Sequence, residues 1–138
     1  MHKNKTLNID NQISNLEQVA AFLEELGEEW ELSVSQVLSL NLVLEEALSN
    51  IILYGFEDNN QHSIEINFKM EGDQLTVSLI DDGQPYDPTL KDDPDTTLSA
   101  EERPVGGLGI FLIKKIMDNV EYERKSNKNF LVLTKNMK

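Results

Sequence analysis

Between residues 34 and 79 the spacing of apolar residues changes from helical to alternating, and this change limits the fold more than any other feature of the chain. Ser33 or Ser35 can cap a helix that runs to about Tyr54, where Gly55 supplies a stop. Beyond it, Ile64, Ile66, Phe68 and Met70 alternate with Ser63, Glu65, Asn67 and Lys69. Across a turn containing Gly72 and Asp73, Leu75, Val77 and Leu79 alternate with Thr76 and Ser78. That pattern is an antiparallel hairpin with one buried face. Upstream, Lys5 to Ile9 alternates weakly as an edge strand. Leu16, Val19, Ala20, Leu23 and Leu26 then recur at helical spacing, with Ser14 and Glu17 in capping-box register and Gly27 marking an end or a weakening.

From Asp81 to Val105 periodicity disappears, and this stretch holds all four prolines. A structureless segment of that length inside a compact domain is usually functional or disordered. Ile110, Ile113, Ile116 and Met117 then describe a third helix ending near Asn119. A second hairpin follows, from Val120 to Arg124 and from Phe130 to Lys135, around Ser126-Asn127-Lys128-Asn129. Strand, two helices, hairpin, long loop, helix and hairpin predict an α+β fold: a two-layer sandwich with a mixed sheet and helices on one face. At 138 residues, one domain spanning 1–138 is expected.

Lys and Arg number 12 against 25 Asp and Glu, a formal charge of −13. Such a balance argues against gripping a nucleic-acid backbone or anionic lipid. No cysteine is present, which excludes disulfides, thiolate metal sites and thiol nucleophiles. Neither a signal peptide nor a run of about 20 apolar residues is evident, so a soluble cytoplasmic domain is expected. The acid is concentrated: no Lys or Arg occurs from Thr6 to Phe68, whereas Lys114, Lys115, Arg124, Lys125, Lys128, Lys135 and Lys138 gather near the end. The plain reading is two solvated faces of opposite sign; the sharper one is an acidic surface for a basic partner.

Three segments carry chemistry. On the second helix, Glu46 and Asn50 stand one turn apart, flanked by Leu42, Val43 and Leu53. A carboxylate and a carboxamide among apolar walls are costly unless a metal ion, a substrate proton or a water satisfies them. At the end of the first hairpin, Asp81-Asp82-Gly83-Gln84-Pro85 places an acceptor carboxylate at the rim of the sheet beside a glycine that admits a flat ring. Finally, Gly106-Gly107-Leu108-Gly109 runs into the third helix, where backbone N–H groups and the positive end of the helix dipole suit phosphate. Taken singly, each segment also has an ordinary structural reading as a surface pair, a turn or a hinge.

Together and in this order, they resemble the three boxes of the GHKL ATPase superfamily with its Bergerat nucleotide-binding fold. Within it, the residues from Asp81 to Pro88 and from Gly106 to Lys114 are similar to those of the stand-alone bacterial anti-sigma factor serine/threonine kinases. The resemblance implies that Asn50 holds Mg²⁺ against the triphosphate of ATP and that Asp81 receives the adenine amino group. It further implies that Gly83 shapes the purine floor, and that Gly106, Gly107, Leu108 and Gly109 close over the phosphates. Glu46 is implied as the general base, and residues 85–105 as an ATP lid whose Arg103 is a candidate for γ-phosphate or partner contact. Two departures stand out: Pro85 replaces the second glycine usual in the G1 box, and Lys128-Asn129 stands where Gly-Thr is common. No adenine contact is therefore assigned to the last hairpin.

The leading expectation is an ATP-dependent serine/threonine protein kinase and anti-sigma factor that phosphorylates a STAS-type antagonist and binds a sigma factor. The first alternative is a nucleotide-gated binding protein without phosphotransfer. The second is a histidine-kinase-type catalytic domain, for which His2 and His62 are poorly placed as phosphoacceptors. The resemblance implies homodimerisation, to which the exposed N-terminal strand adds weak support.

Overall fold

The computed structural model describes residues 2–56, 58, 60–85, 87 and 107–138. Its elements are β1 (His2–Asp10), α1 (Leu16–Glu29), α2 (Val34–Tyr54), β2 (Ser63–Glu71), β3 (Gln74–Asp81), α3 (Gly107–Ile116), β4 (Asn119–Lys125) and β5 (Lys128–Asn136). The α+β class expected from the sequence is the one observed. The sheet is corrected in one respect: its order is β1-β2-β3-β5-β4 and every neighbouring pair is antiparallel, not mixed. After β3 the chain passes through α3 and returns as β4 at the far edge, and β5 folds back into the space between them. β3 and β4 consequently run in the same direction without pairing.

Period-two alternation sends Ile64, Ile66, Phe68 and Met70 of β2, Leu75, Val77 and Leu79 of β3, and Leu131 and Leu133 of β5 to one buried face. Against it lie Val19, Leu23 and Leu26 of α1, Leu40, Val43, Leu44, Ala47 and Leu48 of α2, and Ile110 and Ile113 of α3. Phe22 tilts against Phe68 with ring centroids 5.4 Å apart. α2 is the central helix, packed between α1 and α3.

Two local expectations at α1 are overturned. The helix starts at Leu16 behind a short 3-10 turn, and its N-cap Asn15 makes no side-chain cap bond. The Asn15 amide donates instead to the Asp10 carbonyl at 3.1 Å, fastening the end of β1. The capping box belongs to α2, where Ser33 Oγ accepts from Gln36 N–H at 3.1 Å and Gln36 Oε1 accepts from Ser33 N–H at 2.9 Å. Gly27 does not end α1, which continues to Glu29. It is the contact point of the two helices, since a Cβ there would lie 2.6 Å from Val37 Cγ2.

The last hairpin closes on Ser126 and Asn127, both with positive φ (53° and 62°), the two-residue turn whose twist matches the flanking strands. α2 also corrects the expectation that no segment is long and apolar enough to cross a bilayer. Its 21 residues and mean hydropathy of 1.4 meet that test by length and composition. Its stripe of Leu40, Val43, Leu44, Ala47 and Leu48 is buried in the core while Glu45 is exposed on another face, which are the properties of an amphipathic core helix.

Candidate functional site

Where the C-terminal half of α2, the end of β3, α3 and the last hairpin meet, they wall a cleft enclosing about 510 Å³, including the space open to solvent. Ala47, Ile51, Ile110, Ile113 and Leu131 make the walls apolar; Asn50, Asp81, Gln84, Tyr122 and Asn129 bring polar groups.

Asp81 is the last residue of β3 and lies on the inward side of the alternation, so its carboxylate is only 4% exposed. Burial pushes its pKa up, opposed by hydrogen bonds from the Asn129 amide and the Gly83 N–H and by the nearby Arg124 charge, while Asp82 adds to the rise. Oδ1 accepts from Gly83 N–H at 2.9 Å and from Asn129 Nδ2 at 3.0 Å. Oδ2 has no partner among the described residues, and Asp81 lines the cleft.

Asn129 sits directly opposite Asp81 in the β3–β5 register. Besides Asp81, its amide donates to the Gln84 carbonyl at 2.9 Å, and its carbonyl accepts from Tyr122 Oη at 2.5 Å and Arg124 Nη1 at 3.2 Å. The orientation of the amide follows, because the carboxylate and the Gln84 carbonyl can only accept. Arg124 also donates to the Gly83 carbonyl at 2.7 Å. The turn after Asp81 is pressed onto the end of α2: Gln84 N–H donates to the Gly55 carbonyl at 2.8 Å, and Gln84 Nε2 to the Tyr54 carbonyl at 2.9 Å. Only a glycine permits this, since a Cβ at position 83 would stand 2.3 Å from the Gly55 oxygen.

Of the residues singled out in the sequence, Asn50, Asp81 and Gly83 come together here: Asn50 and Asp81 on the cleft wall, Gly83 in the turn behind Asp81. Glu46 lies one turn before Asn50 and is half-buried, but is not one of the residues lining the cleft. Gly107, Leu108 and Gly109 form the first turn of α3, so the N-terminus of that helix begins at the cleft wall that Ile110 supplies. Gly106, Arg103 and nearly all of residues 85–105 lie outside the described residues. Lys114 and Lys115 are exposed in the last turn of α3, Lys115 over the Phe111 ring at 5.2 Å.

Gln84, Tyr122, Arg124 and Asn129 went unassigned from sequence. One signal was available, because Asn129, Leu131 and Leu133 share the alternation and an Asn at an inward position needs a polar partner. Arg124, one of the basic residues near the end of the sequence, is a cation beside the turn at Gly83. A second cluster adjoins: His62 Nδ1 lies 3.0 Å from Asp82 Oδ1 and Nε2 2.7 Å from Asp58 Oδ1, and its ring stacks on Phe56 at 4.4 Å. The Asp58 bond foremost holds the His62 pKa above its ordinary value, and the same bond holds Asp58 below its own.

The family model for the histidine kinase-like ATPase domain matches residues 9–135. The chain belongs to this family. Among its relatives, the serine/threonine-protein kinase BtrW of Bordetella bronchiseptica is 29% identical over 96 residues, which cover 70% of this chain and 68% of BtrW. The serine-protein kinase RsbW of Oceanobacillus iheyensis is 30% identical over 94 residues, covering 64% of this chain and 59% of that protein. The solved RsbU and RsbW domains of a Mycobacterium tuberculosis protein superpose with a TM-score of 0.71 at 15% identity, over 98% of this chain and 32% of that one. A blue-light activated histidine kinase of Erythrobacter litoralis gives 0.56 at 17% identity, over 77% and 32%. At these identities the solved structures show the shared fold.

Proposed function

We propose that this histidine kinase-like ATPase domain binds Mg-ATP and transfers phosphate to a serine or threonine of a protein partner. The observation that carries the reading is the Asp81 carboxylate, nearly fully buried in an apolar cleft, with Oδ1 accepting two hydrogen bonds and Oδ2 without a partner among the described residues. A buried acceptor of this kind is costly unless a ligand donor satisfies it, and an exocyclic amino group of adenine is such a donor. The apolar walls suit the purine. Asn50 would offer its side-chain oxygen to a Mg²⁺ ion that neutralises the triphosphate. Backbone N–H groups from Gly106 to Gly109 would receive the phosphates at the start of α3. Glu46, one helical turn from Asn50, would orient or deprotonate the attacking hydroxyl; phosphoryl transfer asks chiefly for positioning and charge neutralisation.

The kinase names of the BtrW and RsbW relatives support the reaction class. The partners proposed are a STAS-type antagonist as phosphoacceptor and a sigma factor held by the protein as a homodimer, in the cytoplasm. A second reading, a nucleotide-gated binder without phosphotransfer, draws on Val34 and Leu38 of α2, which are 77% and 64% exposed and available to a partner. Calorimetric titration of Mg-ATP tests the shared step, and absence of binding refutes both. Transfer of radiolabelled phosphate to a STAS protein separates them: transfer lost in Glu46→Ala supports catalysis, and partner control that persists in Glu46→Ala but fails in Asn50→Ala supports gating.

A further inference from the structure

We infer that Asn129 is a positioning residue that makes the site selective for 6-amino purines by fixing Asp81, without touching the nucleotide itself. The inference rests on the nucleotide reading above and adds a residue that no box contains. All the polar atoms of Asn129 are spent within the protein, on Asp81, Gln84, Tyr122 and Arg124. With only 6% of its surface exposed, Asn129 keeps no donor or acceptor for a ligand. Its effect is exerted through the carboxylate. By claiming Oδ1 together with Gly83 N–H, it fixes the rotation of Asp81 and leaves Oδ2 as a single, oriented acceptor. A 6-amino purine presents a donor to that oxygen, whereas a 6-oxo purine presents a second acceptor and is repelled.

The same residue locks the turn. Asn129 Nδ2 donates to the Gln84 carbonyl, and Arg124 Nη1 donates both to the Gly83 carbonyl and to the Asn129 side-chain oxygen. The floor and the acceptor are thus set by the last hairpin, which the sequence motifs leave out.

The test measures the affinities of Mg-ATP and Mg-GTP for the intact chain by calorimetry. The wild-type protein is expected to prefer ATP. Asn129→Ala, which removes a hydrogen bond to a charged group, is expected to weaken ATP about tenfold with little change for GTP, so the preference falls by about as much. A purely structural role would lower both affinities together and leave their ratio unmoved; that result, or unchanged ATP affinity, overturns the inference. Should Asn129→Ala fail to fold, Tyr122→Phe decides the question, since it deletes only the hydroxyl that donates to the Asn129 carbonyl. A two- to threefold drop in the same preference supports the inference and an unaltered preference refutes it. If the wild-type protein binds neither nucleotide, the nucleotide reading itself has failed, a result distinct from loss of selectivity.

Discussion

Adding one methyl group at Gly83 tests the geometry on which the cleft depends. The Cβ of Gly83→Ala would stand 2.3 Å from the Gly55 carbonyl oxygen and 2.9 Å from Asp81 Oδ1. The first distance is roughly 1 Å inside an ordinary van der Waals contact, and its target is backbone at the end of α2, which cannot swing away as a side chain can. The turn must therefore retreat by about that amount. Retreat loosens the Gln84 bonds to the Gly55 and Tyr54 carbonyls and the Gly83 N–H bond to the Asp81 carboxylate. Two neutral hydrogen bonds at about 1 kcal/mol each and one charged bond at about 1.5 kcal/mol are at risk. The lower entropy of an unfolded Ala chain returns about 0.7 kcal/mol. The expected net loss is about 2–3 kcal/mol, read from urea denaturation. Displacing Asp81 by a fraction of an ångström also weakens Mg-ATP on the order of a hundredfold. Gly72→Ala is the control: Gly72 has a φ of 60° but open space around it, so the change costs about 1 kcal/mol of backbone strain and leaves ATP affinity alone. A Gly83→Ala protein within about 0.5 kcal/mol of wild type, binding ATP equally well, would refute the argument from close approach.

Asp81→Asn keeps the shape of the side chain but turns one oxygen into a donor, so ATP binding should fall on the order of a hundredfold while the fold persists in circular dichroism. Glu46→Ala should leave ATP affinity within about twofold and abolish phosphotransfer, whereas Asn50→Ala should weaken Mg-ATP but not metal-free ATP, a split that titrations with and without Mg²⁺ resolve. The His62 cluster predicts a pH-dependent contribution to stability. Its raised pKa means that the His62 contribution is fully present below about pH 6.5 and disappears as pH rises through the higher folded value; the Asp58 contribution is present above about pH 4 and disappears as pH falls through its lowered one. His62→Ala should accordingly destabilise the protein at pH 5.5, and the gap from wild type should narrow by pH 8.5; a gap independent of pH would contradict this account. Phe68→Ala, emptying a fully buried site on the inner face of the sheet, should cost about 3–5 kcal/mol.

The elements of this protein could be read from residue spacing alone, because a helix or a half-buried strand imposes its own period on the apolar residues. Leu40, Leu44 and Leu48, or Ile64, Ile66 and Phe68, announce their element without reference to anything distant. The same locality made Asn50, Asp81 and Gly83 legible, each lying in a short motif. The capping box expected at Ser14 and Glu17 does not form, since α1 starts later and the Asn15 side chain is engaged with the end of β1, whereas Ser33 caps α2 as one of the two serines expected there. Tertiary structure alone decided what crosses between elements: the antiparallel order with β5 inserted beside β3, and the Arg124 contact with Gly83, 41 residues away. Asn129 meets Asp81 across 48 residues because sheet register makes them opposite partners. Register is a property of two strands together, set by which faces can be buried at once, so no local pattern in either strand contains it.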